Sequence, residues 1–196
     1  DRRERPLGIR DRLNPPPFRA GAASPMARNV EIKARIESVD SLVPRVAALA
    51  GDGPFQIAQD DVFFHCDTGR LKLRMFSESS GELIFYRRPD SAGPKESFYI
   101  RSPAPDPASL RQSLGLAYGE TGRVTKRRTL YLVGRTRVHL DRVEGLGDFI
   151  ELEVVLDEGE SIDSGTKEAQ SLMAALGIGA SQLIEGAYVD LFPRPL

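Results

Sequence analysis

The sequence predicts an α+β fold, a barrel or strongly curved antiparallel sheet carrying a few helices. Three observations point there. From Met26 onward apolar and polar residues alternate in segment after segment, the mark of strands with one buried face. Three stretches instead repeat their apolar residues at helical spacing. Turns rich in Gly and Pro separate the segments, at Gly51-Asp52-Gly53-Pro54, Ser79-Ser80-Gly81 and Gly93-Pro94.

In residues 29–36, Val30, Ile32, Ala34 and Ile36 share one face of a strand, which gathers Asn29, Glu31, Lys33 and Arg35 on the other. A short helix follows, capped by Asp40 and running to about Ala50, with Val43, Val46 and Leu49 apolar and Pro44 tolerated in its first turn. In residues 69–76, Leu71, Leu73 and Met75 oppose Arg70, Lys72 and Arg74. The Ser79-Ser80-Gly81 turn makes a hairpin to a strand starting near Glu82, where Leu83, Phe85 and Arg87 alternate with Ile84, Tyr86 and Arg88. A second helix spans about Pro107 to Leu116, with Leu110 and Leu114 one turn apart and a stop near Gly115 or Gly119. Residues 124–130 form a strand with two mixed faces, Val124, Lys126, Arg128 and Leu130 on one and Thr125, Arg127 and Thr129 on the other. Then Arg137, His139 and Asp141 oppose Val138 and Leu140, and Glu151 and Glu153 oppose Ile150, Leu152 and Val154. The third helix covers about Ser164 to Leu176, turns Ala169, Leu172, Met173 and Leu176 inward, and stops at Gly177.

The 196 residues suit one domain, and 40% hydrophobic with 28% charged residues excludes full disorder. Residues 1–25 differ in kind, with six Arg, three acidic residues and the Pro15-Pro16-Pro17 run. That composition predicts a disordered Arg- and Pro-rich extension, with the folded domain occupying residues 26–196. The domain then holds 21 basic and 25 acidic residues, a balance that argues against nucleic acid as a partner. The longest apolar runs, about five residues, are far too short to span a bilayer, so no membrane partner and a cytoplasmic location are expected. Nothing separates a monomer from a homodimer. Cys66 has no disulfide partner, is read as a small buried hydrophobe, and with His65 and His139 makes a poor zinc set. Any metal should be a hard, oxygen-ligated one.

The charged strand faces have two readings. Each can be the wet side of an ordinary antiparallel sheet. Alternatively the sheet closes, the charged faces line a water-filled interior, and the apolar faces pack outward against helices. Blocks of one sign favour closure. Arg70, Lys72 and Arg74, then Lys126 and Arg128, then Glu151 and Glu153 would repel one another unless something lies between them. A polyanion with a divalent cation, Mg²⁺ or Mn²⁺, satisfies both kinds of block, and a triphosphate-containing small molecule fits best. No GxxxxGK[ST] loop, GxGxxG fingerprint or GxSxG elbow offers a competing device.

These residues carry a resemblance. Glu31-Ile32-Lys33 is similar to the ExExK signature of the CYTH group, the triphosphate tunnel metalloenzymes, which includes class IV adenylyl cyclases, thiamine triphosphatases and inorganic triphosphatases. Gly69 to Arg74, Tyr86 to Pro89, Lys126 to Arg128, Leu140-Asp141, Glu144 to Gly147, Phe149 to Glu153 and Tyr188 to Leu191 resemble family segments in the family's order. The resemblance covers about residues 27–192. It implies an eight-stranded antiparallel β-barrel, a triphosphate tunnel, with flanking helices.

By position, the resemblance implies metal ligation by Glu31, Glu151 and Glu153, with Asp141 a further acidic contact to the metal or the attacking group. It implies phosphate binding by Lys33, Lys72, Arg74, Lys126 and Arg128, and places Glu31, Lys33 and Asp141 at the catalytic centre. Arg87 joins the phosphate-binding set, although alternation alone leaves open which of Arg87 and Arg88 points inward. Asn29 stands where the signature has its first glutamate, so metal affinity should fall or the preferred ion change. Arg35, Arg70 and Arg137 are interior or rim charges, and His139 is read as a hydrogen-bonded strand residue. The favoured activity is hydrolysis of a triphosphate to diphosphate and phosphate. The alternatives are cyclisation of ATP to cyclic AMP and pyrophosphate, and a non-catalytic polyphosphate- or nucleotide-binding module.

Overall fold

The computed structural model describes residues 27–193, so the extension expected at residues 1–25 lies outside the described residues. Eight strands close into one barrel. In chain order they are β1 (Ala27–Arg35), β2 (Asp52–Phe64), β3 (Arg70–Ser77), β4 (Ser80–Arg87), β5 (Lys95–Ala104), β6 (Glu120–Val133), β7 (Thr136–Val143) and β8 (Gly147–Val155). Around the barrel the order is β1-β5-β4-β3-β2-β6-β7-β8, and every neighbouring pair is antiparallel. Strand β1 closes the cylinder by pairing with β5 on one side, as at Asn29 and Ser97, and with β8 on the other, as at Glu31 and Glu153.

Three helices pack on the outside: α1 (Val39–Leu49), α2 (Pro107–Tyr118) and α3 (Ile162–Ala175). Helix α1 starts two residues earlier than its sequence suggested. Its cap is Ser38, whose side chain accepts from the Asp40 backbone N–H, while the Asp40 carboxylate pairs with Arg142. Asp106 caps α2 by accepting from the Ser109 N–H, and Gly119, at φ 79°, ends it.

The core therefore lies mainly outside the cylinder. Val30, Ile32, Ala34, Val138, Leu140, Ile150, Leu152 and Val154 turn outward and are buried beneath α1 and α3, where Val46, Ala169, Met173 and Leu176 meet them. Leu110 and Leu114 of α2 cover Val62, Phe64 and Leu73 in the same way. A third cluster, Phe63, Val124, Val143, Phe149 and Tyr188, stops one end of the barrel. Tyr188 belongs to a 3₁₀ turn (Tyr188–Leu191) in the strap that returns over that end after α3, and its ring stands 4.8 Å from that of Phe149. Cys66 is half-buried near Thr68 rather than in a core.

Gly165 lets α3 approach β1 closely, since a Cβ there would come within 2.9 Å of Val30 Cγ2 and 2.7 Å of Leu156 Cδ2. Gly165→Val should therefore destabilise the chain by roughly 1–3 kcal/mol through overpacking. Urea denaturation measures it, and an unchanged midpoint would contradict the packing described.

Candidate active site

With the apolar faces turned outward, alternation sends the charged residues into the lumen, a cavity of about 420 Å³. Basic side chains from five strands and the end of β4 line it: Lys33, Lys72, Arg74, Arg88, Arg101, Lys126, Arg128 and Arg137. Fewer acids do so, namely Glu31, Asp61, Glu151 and Glu153. Topology sets where each sign falls. Strands β1 and β8, which carry the three glutamates, are neighbours, and β2 and β3 lie three or four strands away around the cylinder, so Lys72 and Arg74 face the glutamates across the lumen.

Two arginines are held by the same device. Arg128 donates through Nε and Nη2 to the two oxygens of Asp141, both at 2.7 Å, and Nη2 also reaches Glu151 at 3.1 Å. Arg74 donates through Nε and Nη2 to the two oxygens of Asp61, both at 2.8 Å, and Lys72 joins that carboxylate at 2.8 Å. Bidentate pairing fixes each guanidinium plane and leaves Nη1 unspent among the described residues. Burial alone would raise the Asp61 pKa, but Arg74 and Lys72 beside it hold it well below the usual carboxylate range.

The lysines are held more loosely. Lys33 Nζ is 3.8 Å from Glu151 and Lys126 Nζ 3.7 Å from Asp141, while the Tyr188 ring sits beside both ammonium groups, at 4.1 and 4.9 Å. Burial, and then the neighbouring Arg128 charge, push Lys126 down to about 7. Burial and Arg74 bring Lys72 to about 8. Both groups sit near their titration point at neutral pH.

The carboxylates on β1 and β8 form a compact set. One oxygen from each of Glu31, Glu151 and Glu153 lies within 4.8 Å of the others. Glu31 pairs with Arg88, and Glu153 lies 2.9 Å from Arg137 and 3.2 Å from His139. Burial opposes ionisation of Glu151, yet Lys33 and Arg128 hold it at about 2, so it is a carboxylate at any ordinary pH. Asn29, also on the lumen face of β1, buries Oδ1 without a hydrogen-bond partner. An all-oxygen donor set of three carboxylates and one uncommitted amide oxygen fits a hard divalent cation such as Mg²⁺ or Mn²⁺.

The structure thus brings Glu31, Lys33, Lys72, Arg74, Lys126, Arg128, Glu151 and Glu153 into one cavity. Two expectations change. Arg87 is exposed on the outer face, donating to the Thr68 carbonyl, because Ile84, Tyr86 and Arg88 take the inner face of β4 and its continuation. Arg88 enters the lumen in its place. Asp141 is 0% exposed, and Arg128 and Tyr188 occupy its oxygens, so it stands behind the cavity wall as an anchor rather than facing a metal or an attacking group. Arg137 is interior, whereas Arg70 and Arg35 sit at the rim with Asp190 and the Leu146 carbonyl. Burial and Arg128 lower the pKa of His139, favouring the neutral ring.

Asp61 and Gln59 were not singled out from sequence; Arg88 entered only as the alternative to Arg87, and Tyr188 only as the start of a resembling segment. For Asp61 the one signal was the Asp60-Asp61 pair, of which Asp60 turns outward to Arg123 and Asp61 inward.

Comparison with known proteins agrees with this architecture. Adenylate cyclase CyaB of Aeromonas hydrophila is 29% identical over 175 residues, 85% of this chain and 90% of that protein. The PH1012 protein of Pyrococcus horikoshii superposes with a TM-score of 0.75 at 22% identity, covering 84% of this chain and 99% of that one. HpAC1 of Hippeastrum, described as having a dominant triphosphatase activity, superposes with a TM-score of 0.56 at 14% identity, covering 83% and 91%. The CYTH domain model matches residues 27–188. With most of the chain matched and its charged faces enclosed in an eight-stranded antiparallel barrel, the protein belongs to the CYTH domain family.

Proposed function

We propose that the chain binds a triphosphate in the lumen together with a divalent cation, Mg²⁺ or Mn²⁺, and hydrolyses it to diphosphate and phosphate. One observation carries this reading: a carboxylate cluster on β1 and β8 faces a Lys and Arg wall across a closed lumen. The charges of the two walls partly neutralise one another, and a metal-bound polyanion would engage both at once.

Glu31, Glu151 and Glu153, with Asn29 Oδ1, would hold the cation. When bound it supplies charge neutralisation and polarises a phosphoryl oxygen. Lys33, Lys72, Arg74, Lys126 and Arg128 bind the phosphate oxygens, and Arg88 takes the role first given to Arg87. The unspent Nη1 groups of Arg74 and Arg128 meet charge that builds on the transferring group, without reorganisation. Water attacks the terminal phosphorus, the bridging P–O bond breaks, and the water proton leaves with the phosphate formed. No protein nucleophile is required.

Cyclisation is the second reading, favoured by the 29% identity to CyaB. Incubation of purified chain with ATP or tripolyphosphate and Mg²⁺ or Mn²⁺ separates the two. Phosphate release is expected, cyclic AMP with pyrophosphate would establish the cyclase, and neither product with intact binding would leave a binding module.

Glu151→Gln should abolish metal-dependent turnover while the far-UV spectrum and melting temperature keep a folded barrel; wild-type turnover would refute the metal assignment. Lys126→Ala should raise KM for the triphosphate by about 10-fold, through loss of a charge-assisted contact. Because Lys126 titrates near 7 and Lys72 near 8 in the free protein, both are partly neutral at pH 8. A bound polyanion favours their charged forms, so binding at pH 8 should take up on the order of one proton. Calorimetry in buffers of different ionisation enthalpy measures this, and proton release would have the wrong sign.

A further inference from the structure

Three residues of the strap are tied to charged side chains of the barrel. The Gly186 carbonyl accepts from Arg88 Nη2 at 2.6 Å, the Tyr188 hydroxyl donates to Asp141 Oδ2 at 2.8 Å, and Asp190 pairs with Arg70 at 2.6 Å. Asp190 also accepts from the Ala187 N–H at 2.8 Å, which fixes the turn that carries Tyr188. The tyrosine is therefore held from both sides in sequence, and its ring packs at 54° to that of Phe149.

The barrel holds two carboxylates gripped in the same way, and they differ in one donor. Asp61 takes Arg74 Nε on Oδ1 and Arg74 Nη2 on Oδ2, and Oδ2 then accepts the Lys72 ammonium at 2.8 Å. Asp141 takes Arg128 Nε on Oδ1 and Arg128 Nη2 on Oδ2, but here Oδ2 accepts the Tyr188 hydroxyl instead of a lysine. Two donors use both lone pairs of that oxygen. Lys126 Nζ stands 3.7 Å away from it, beyond hydrogen-bond distance, with the Tyr188 ring 4.9 Å from the ammonium.

We infer that Tyr188 is a positioning residue: by occupying the second lone pair of Asp141 Oδ2 it keeps the Lys126 ammonium uncommitted and free to meet a phosphate oxygen. The ligand is the triphosphate proposed above, on which this role rests. Without the hydroxyl, Lys126 closes on Asp141 as Lys72 closes on Asp61, and a phosphate has to break that pair before it binds. Burial, with the Asp141 and Glu151 charges nearby, raises the tyrosine pKa well above its ordinary value, so the hydroxyl keeps its proton and remains a donor.

The test is Tyr188→Phe, which keeps the ring and removes the donor, made alone and in a Lys126→Ala background and assayed with tripolyphosphate and Mg²⁺ or Mn²⁺. Alone it should raise KM about 5-fold and leave kcat within about 2-fold of wild type, since only the approach of the phosphate is hindered. In the Lys126→Ala background the same change should leave KM unmoved, because the hydroxyl acts through that lysine. An unchanged KM for Tyr188→Phe, or an equal rise in both backgrounds, overturns the role; melting curves confirm that the variants are folded. If wild type neither binds nor turns over tripolyphosphate, the triphosphate reading fails by itself, and NMR of the lysine ε-carbons in the free protein then decides. The Lys126 signal, assigned by its loss in Lys126→Ala, should titrate above its wild-type value of about 7 in Tyr188→Phe, because the other charged groups around it, Arg128, Asp141, Arg74 and Asp61, are unchanged. An unmoved midpoint rejects the inference.

Discussion

Opposite charges enclosed in a closed sheet are the constraint on which the rest of this structure depends. A lumen bearing so many Lys and Arg side chains is stable only if each finds compensation without bulk water. Cross-strand register supplies it. Arg128 on β6 lies opposite Asp141 on β7, and Asp61 on β2 lies opposite Arg74 on β3. A one-residue slip of either strand at such a seam would turn that strand's member of the pair to the outer face, leave the other unpaired and bring apolar residues into the lumen. The ion pairs thereby specify the register as well as neutralising charge.

Because the interior is polar, the apolar burial that stabilises the domain has to come from elsewhere. It comes from the outer wall, beneath α1 and α3 and beneath α2. The outer faces of β1, β7 and β8 are the most heavily covered, and two of these strands, β1 and β8, carry Glu31, Glu151 and Glu153 inside. Packing of Val30, Ile32, Ile150, Leu152 and Val154 holds the backbone of the carboxylate cluster rigid, which a compact ligand set requires. The strap adds a second support. Tyr188 donates to Asp141 at 2.8 Å and places its ring beside Lys33 and Lys126, joining the apolar stopper at one end to the charged chamber.

Much of this was legible in the sequence where strands carry blocks of one sign. Lys72 with Arg74, Lys126 with Arg128 and Glu151 with Glu153 each declared an inner face, and all six line the lumen. Strand β2 was not legible. Its start looks like a turn, Gly51 to Pro54, and its inner face reads Ile57, Gln59, Asp61, Phe63, a mixture without period or sign. Strand β5 was hidden likewise, with Lys95, Ser97, Tyr99 and Arg101 inward and Pro103 near its end. Asp61 depends on those two limits, because nothing local distinguishes it from Asp60; only the arginines on β3 and β6 do. The choice between Arg87 and Arg88 fell the same way, settled by where β4 ends. Tyr188 sits in a single 3₁₀ turn, and tertiary contacts alone place it.

The carboxylate cluster is also already paired, and this bears on how the two walls communicate. Glu31 holds Arg88, Glu153 holds Arg137, and Glu151 is shared by Lys33 and Arg128. A divalent cation entering among these oxygens would compete with those side chains for the same lone pairs. Each one displaced would become a free cationic donor in the lumen, ready for a phosphate oxygen. Metal and polyanion would then assist one another beyond their direct attraction, since the ion takes over the carboxylates while the anion takes over the released bases. Asn29 sharpens the effect. It adds an oxygen without a charge, so the cluster offers three negative charges, and the surplus of cations in the lumen is larger than a glutamate there would leave. On the proposed reading, that surplus would weaken the hold on a metal taken alone and strengthen the hold on a highly charged anion.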